Sequence, residues 1–265
     1  MKNFSYFLSH SVYMISIMQT KQDNSSKKYI DLPLYVQIKH KILLALEQGL
    51  WKSGDLIPSE SDLATTYEVS QGTIRKALDE LVQQQLLIRR QGSGTFVATH
   101  QEEQSKYRFL HLANSAGVIE DSQNKILLCT HQKAPKIVYV SFKMQAEDIF
   151  VHIRRLMSFN GKPIVFEDIW LPCPLFGDIS LELLASWSGS MYGLFESHFG
   201  VHMTHAEERI HAVLPSDMAA EYLGIDALVP VLDVFRVAYT YGDRPVEVRQ
   251  AQYITTEHHY FNRIG

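Results

Sequence analysis

Residues 57–97 read IPSESDLATTYEVSQGTIRKALDELVQQQLLIRRQGSGTFV, two helix starts followed by an alternating segment. Ser59 follows Pro58 and precedes Leu63, Ala64 and Tyr67 at helical spacing, with Asp62 three residues on as a weak capping box. Glu68-Val69 marks a break. Ser70 then caps a second helix whose apolar positions Ile74, Ala77, Leu78, Leu81 and Val82 fall at spacings of three and four, predicting one buried face and one free face. The free face opens with Gln71, Thr73 and Arg75, and Lys76 adds a cation. Residues 86–98, LLIRRQGSGTFVA, alternate about Gly92, Ser93 and Gly94 and predict a hairpin with Arg89 and Arg90 beside its tip and Thr95 after it. Helix, break, helix and hairpin make a winged helix-turn-helix, a module whose common use is to set the start of its second helix against base edges of duplex DNA.

The same module also packs against proteins, and net charge does not decide between the two uses. Residues 30–99 hold seven Lys or Arg and eight Asp or Glu, without the basic excess typical of nucleic-acid binders. Distribution favours DNA. Arg75, Lys76, Arg89 and Arg90 fall on the second helix and the wing, whereas Asp55, Glu60 and Glu68 precede them, and a local basic edge suffices for phosphate contact.

From Leu32 to His100 the motifs PLYxQI, GxxxxGDxxPSExxLA, VSxxTxRKALxxL and RxGxGTFV run without a gap. In this the segment resembles the DNA-binding domain of GntR-type bacterial transcription regulators. The resemblance implies that the hairpin at Gly92, Ser93 and Gly94 enters the minor groove and that Arg75 contacts the operator. The candidate DNA contacts are thus Ser59, Ser61, Ser70, Gln71, Thr73, Arg75, Lys76, Arg89, Arg90, Gly92, Ser93, Gly94 and Thr95. Two positions depart from the family. Ser61 and Gln71 stand where arginine is usual, which weakens guanine readout, and Gln71 suits adenine.

With 265 residues, the chain has room for a second core once a winged helix of about 70 residues is set apart. We expect an extension over residues 1–28, the winged helix over 29–99, a polar linker over 100–106 and a second domain over 107–265. FSYFLSHSVYMISIM near the start is interrupted by Ser and His and lacks a small-residue cleavage site, so it reads as a disordered extension or as sequence ahead of a start at Met14 or Met18, with an interfacial helix as a minor alternative. Cys129 and Cys173 have no CxxC spacing, which signals neither disulfides nor zinc and fits a reducing cytoplasm. A net charge of −4 and the lack of a long apolar run argue against a nucleic-acid coat and a membrane span.

Beyond the linker the pattern turns to strands at 107–113 and 126–131, a helical piece at 135–142, two strands joined at Asn160-Gly161, helices near 191–198 and 216–223, a long strand from Val201 to Leu214, and two strands joined near Gly242. FKMQAEDIFVHIRRLMSFNGKPIVFEDIWLP aligns with LGIDALVPVLDVFRVAYTYGDRPVEVRQAQYI at an offset of 81, rising to 82 beside Arg244. The alignment pairs Arg155 with Arg236, Gly161 with Gly242 and Pro163 with Pro245. A helix and long hairpin used twice predict a pseudo-twofold α+β domain around an antiparallel sheet, with a cavity between the halves as the natural ligand site.

RRLxxxxGKPIxxEDxxLP, SxYxLxExxxG from Ser190, AEERIxA from Ala206 and RPVEVxxxxY from Arg244 resemble the ligand-sensing domain of the HutC branch of GntR regulators, which has the chorismate-lyase fold. The resemblance implies a small, often anionic effector. By motif, Arg155 is an anion-binding cation, Glu167 an acceptor, Ser190 a helix-start donor, and Glu247 and Tyr253 contacts from the second hairpin. Met157 replaces a second arginine used by sugar-phosphate sensors, which favours a carboxylate or other small anion over a phosphate dianion. Each assignment has a plainer counterpart: Arg155 pairs with Glu167 across the hairpin, and Glu247 and Tyr253 only line the sheet. His198, His202, His205 and His211 invite a metal reading, but His205, Glu207, Arg209 and His211 alternate along one strand as a solvated or interface face, and no metal or cofactor is expected. The reading as a whole is a ligand-responsive, dimeric transcription regulator, a repressor on a palindromic operator. An enzyme descended from the lyase fold and a constitutive binder whose second domain only dimerises are the competing classes.

Overall fold

A computed structural model describes residues 32–100, 112–118 and 120–261. The extension at 1–28 and most of the linker therefore lie outside the described residues. The chain divides into two compact units between Thr99 and His100. Among the described residues no helix is long and apolar enough to cross a membrane.

Among the described residues the first unit packs three helices, α1 (Leu34–Glu47), α2 (Glu60–Tyr67) and α3 (Gln71–Gln83), against a short hairpin of β1 (Leu87–Arg90) and β2 (Gly94–Val97). Ile38, Ile42, Leu63, Ile74, Leu78, Leu81 and Leu87 fill its core. Ser59 and Ser70 cap α2 and α3 by accepting from the Asp62 and Thr73 amides at 3.2 and 3.1 Å. The capping box at Asp62 closes differently from expectation, its carboxylate accepting from the Ser59 hydroxyl at 2.6 Å. Glu68 ends α2 in the left-handed region, at φ 56°, which produces the break read from the sequence. Val82, counted with the apolar stripe, is only half-buried because it sits at the α3 terminus.

The second unit is built on a six-stranded antiparallel sheet. Its strands are β4 (Gln123–Lys133), β5 (Ile149–Phe159), β6 (Lys162–Pro172), β7 (His205–Val213), β8 (Val231–Thr240) and β9 (Arg244–Tyr253), ordered β4-β5-β6-β9-β8-β7. A separate pair joins β3 (Leu112–Asn114) to β10 (His258–Tyr260). The internal repeat is exact at the centre of the sheet. Asp168 pairs with Gln250, its own repeat mate 82 residues on, while Glu167 opposite Ala251 maps onto Ile169 opposite Arg249. The pseudo-twofold axis therefore passes between Asp168 and Gln250. Helices α4 (Lys136–Phe142) and α8 (Asp217–Leu223), offset by 81, pack on β9 and β6.

Three helices that belong to neither repeat cover the opposite face: α5 (Cys173–Phe176), α6 (Leu181–Ser186) and α7 (Met191–Phe199). Phe176, Leu184, Tyr192, Leu194 and Phe195 seal them onto Val151, Ile153, Ile169 and Leu171. The long strand expected from Val201 starts only at His205, because residues 201–204 are drawn down into the core as irregular chain. The first two helices of this layer left no clear periodic signal, being four and six residues long.

Candidate nucleic-acid interface and effector site

On the first unit an open groove is lined by Leu34, Ser61, Ala64, Thr65, Glu68, Val69, Ser70, Gln71 and Thr73. Four of the polar positions singled out in the sequence thus share one surface at the α2–α3 turn. The Ser70 hydroxyl is engaged both with the Thr73 amide and with its hydroxyl at 2.9 Å, so Gln71 is the longer side chain offered at the helix start. Arg75, exposed along its length, donates from Nε to Glu60 at 2.9 Å. Arg89 reaches the same carboxylate at 3.2 Å and Asp79 at 2.5 Å. Glu60 and Asp79 thereby hold cations of the α3 face and of the wing in one exposed network. Lys76 lies over the Tyr35 ring at 3.9 Å, and Arg90 over Phe96 at 4.7 Å.

At the wing tip the loop is Gln91–Ser93, with Gly94 already opening β2 opposite Arg90. Ser93 donates its amide to the Arg90 carbonyl at 2.9 Å, with Gly92 at φ 73°. Gly94 sits at φ 115°, where an added Cβ would lie 2.7 Å from Leu56. Thr95 binds the Ile57 amide through its carbonyl, which joins the chain at 54–57 to the wing.

In the second unit the register brings the charged residues onto one face of the sheet. Arg155 faces Glu167, Ile169 faces Arg249, and Arg236 faces Arg249, and cross-strand partners share a face. Arg155 Nε donates to Glu167 Oε1. Arg249 joins that carboxylate at 3.1 Å and Glu247 at 2.9 Å, while Tyr192 from α7 donates to Glu247 at 2.9 Å. Arg236 pairs with Glu208 at 2.6 Å, and Tyr260 donates to the same carboxylate. Tyr253 is buried beside them. The repeat explains one of these pairs: Glu167 and Arg249 are symmetry mates, so opposite charges at equivalent positions meet near the axis.

Burial alone would raise the Glu167 carboxyl, but Arg155 and Arg249 beside it win and hold it below the usual carboxylate range. Desolvation pushes the Tyr192 and Tyr253 hydroxyls up, so both stay neutral. Ser190, half-buried, caps α7 through the Gly193 amide at 3.0 Å. Of the residues carried over by motif, Glu167 and Glu247 lie in one buried network with Arg155, Tyr253 is buried beside it, and Ser190 starts the helix that brings Tyr192 to it. The ion pair between Arg155 and Glu167, read as the plainer alternative, is present. Met157 packs into apolar core.

Tyr192, Arg236 and Arg249 join the site without having been among its sequence candidates. The signals for them were the fixed tyrosine of the motif from Ser190 and the repeat offset, which pairs Arg155 with Arg236 and Glu167 with Arg249. Of the strand histidines, His205 and His211 are exposed on β7, as alternation predicts. His202 instead turns inward toward Glu196 and His100. His100, read as the first linker residue, is itself buried.

Comparison with known proteins bears on both units. Residues 34–97 match the bacterial regulatory proteins of the gntR family, and residues 120–259 match the UTRA domain. The chain is 28% identical over 85% of its length to the mannosyl-D-glycerate transport/metabolism system repressor MngR of Escherichia coli, covering 93% of that protein. It is 30% identical over 82% of its length to the HTH-type transcriptional regulator Rv0792c of Mycobacterium tuberculosis, covering 80% of it. The ligand-binding domain of a GntR-family transcriptional regulator from Bordetella bronchiseptica superposes with a TM-score of 0.57 at 42% identity, over 60% of this chain and 99% of that one.

Proposed function

The chain belongs to the gntR family of bacterial regulatory proteins and carries a UTRA domain, and on that premise we propose that this transcription regulator is a repressor that binds a palindromic operator as a dimer and is released by a small anionic metabolite. The observation that carries the DNA-binding part is the convergence of Ser61, Ser70, Gln71 and Thr73 on one open groove, together with the exposed pairing of Arg75 and Arg89 with Glu60, the residue before Ser61. Phosphate contacts from the arginines and the wing would set register, while Gln71 at the start of α3 would read bases. A two-fold operator follows from two such units in a cyclic dimer.

For the effector, support comes from the buried Arg155–Glu167–Arg249–Glu247 network under Tyr192. A ligand carboxylate would compete with Glu167 for Arg155, and the freed Glu167 and Glu247 oxygens would accept from ligand hydroxyl or amine groups. Every cation there already meets a carboxylate, so a phosphate dianion would lack an excess of positive charge. Cytoplasmic placement goes with this reading. Binding-site selection on the full chain, followed by thermal-shift screening against carboxylate and phosphate metabolites, tests it. The expected result is a two-fold consensus and a stabilising carboxylate. A consensus without any stabilising metabolite would favour a constitutive binder, which the fully paired network also suits.

A further inference from the structure

A second buried polar cluster adjoins the effector network, the His100 ring lying 5.8 Å from that of Tyr192. His100, Glu196 and His202 are 2%, 8% and 3% exposed, and one donor atom from each falls within 4.8 Å of the others. They come from three separate stretches: the chain entering the second unit, the body of α7, and the irregular segment ahead of β7. Nothing in their spacing announces a ligand set, because folding alone unites residues 96 positions apart.

Each side chain is already oriented. His100 Nε2 lies 2.9 Å from the Met203 carbonyl, which only accepts, so that nitrogen carries the proton and Nδ1 carries the lone pair. An imidazole that donates its far N–H to a backbone carbonyl is the form in which histidine binds metals. The His100 amide donates to Glu196 Oε2 at 2.6 Å, which fixes the plane of the carboxylate. His202 stacks on His100 with ring centroids 4.4 Å apart and is backed by Tyr241 at 5.5 Å. Its Nδ1 is 3.9 Å from Glu196 Oε1.

We propose that His100, Glu196 and His202 form a binding site for a divalent transition metal of the zinc class, with two imidazole nitrogens and one carboxylate oxygen as protein ligands and water completing the shell. The donor set decides the class. Calcium and magnesium take six or more oxygens, whereas mixed nitrogen and oxygen donors suit zinc and its neighbours. Bonds of about 2.0–2.2 Å around a tetrahedral ion set ligand atoms roughly 3.4 Å apart, so the three donors, now within 4.8 Å of one another, need to draw in by up to about 1.4 Å. Buried charge is tolerated when paired or bound to a metal, and a divalent ion here neutralises Glu196 while leaving both imidazoles neutral. His100 opens the second unit, so a bound ion pins the start of that unit to α7.

The test uses the full chain stripped with EDTA and titrated with Co²⁺, whose visible d–d bands report a low-coordinate nitrogen and oxygen shell, followed by displacement with Zn²⁺. One Co²⁺ per chain is expected, displaced by Zn²⁺, with at least about tenfold weaker binding in His202→Ala and in Glu196→Gln. X-ray absorption on the zinc-loaded wild type needs no variant and should show two imidazoles with oxygen. Absence of stoichiometric binding, a shell containing sulfur from Cys129 or Cys173, or titrations unchanged in both folded variants would overturn the site and leave a purely structural histidine–glutamate cluster.

Discussion

Arg75 is held by Glu60 across 2.9 Å in an exposed pair, and such pairs contribute little to stability because water and salt screen them. The pair therefore yields readily to a phosphate or a guanine edge, and its effect belongs to binding. Arg75→Ala is expected to weaken operator affinity by about 1–3 kcal/mol with the thermal midpoint nearly unchanged, and fluorescence anisotropy within twofold of wild type would refute the contact. Gln71→Arg should shift selected sites toward guanine at one position, and an unchanged consensus would remove Gln71 from base readout. Glu167 behaves oppositely. It is buried between Arg155 and Arg249, and Glu167→Gln leaves two cations without their shared anion, a loss of about 3–5 kcal/mol in urea unfolding at pH 7. Its carboxyl is held below its ordinary value of 4.5, so the stabilisation is full above that pH and is lost as pH falls through the lower folded value. The wild type should lose more stability than Glu167→Gln between pH 5 and about pH 3, and parallel losses would contradict the shift. Residue types at the site were legible from motifs. The contacts of Tyr192 and Arg249 were not, since they depend on a helix crossing the sheet and on pairing across the symmetry axis.

The repeat makes a prediction for the helices that carry it. α4 and α8 both end in a left-handed residue, Lys143 at φ 57° and its mate Gly224 at φ 66°. Left-handed backbone costs a side-chain-bearing residue roughly 1–2 kcal/mol more than glycine, against about 0.5–1 kcal/mol of glycine's extra unfolded-state freedom. Lys143→Gly is thus expected to stabilise the second unit by up to about 1 kcal/mol and Gly224→Ala to destabilise it by a similar amount, read as opposite shifts in chemical denaturation midpoint. Shifts of the same sign would show that the two termini are not equivalent. Elements of the repeat were legible because Val138 and Phe142, like Ala219 and Leu223, bury the same helix positions, and Asn160-Gly161 supplies two consecutive residues of positive φ for a tight turn. The layer of α5, α6 and α7 has no mate in the repeat. Its two short helices are held by Phe176 and Leu184 in the core, a tertiary cause that local pattern does not display.

At the scale of the whole molecule, a regulator must let a ligand in one unit change the affinity of the other for DNA, and that coupling is a free energy shared by both binding events. In the proposed reading the operator contacts lie in residues 59–95 and the effector contacts in residues 155–253, so a change confined to the second should alter the response without altering the basal affinity. Arg155→Lys is the suitable variant, because it keeps a cation opposite Glu167 while losing the planar, two-pronged grip on a ligand carboxylate. It should leave operator affinity without effector within about twofold and remove most of the effector's influence on it. Reciprocity supplies the sterner test. If an inducer weakens operator binding by a factor of about 5–150, a coupling of 1–3 kcal/mol, operator DNA must weaken inducer binding by the same factor. Titration calorimetry of the stabilising metabolite against the free chain and against its operator complex measures that factor directly, and equal affinities in the two titrations would leave the second unit a role in dimerisation alone.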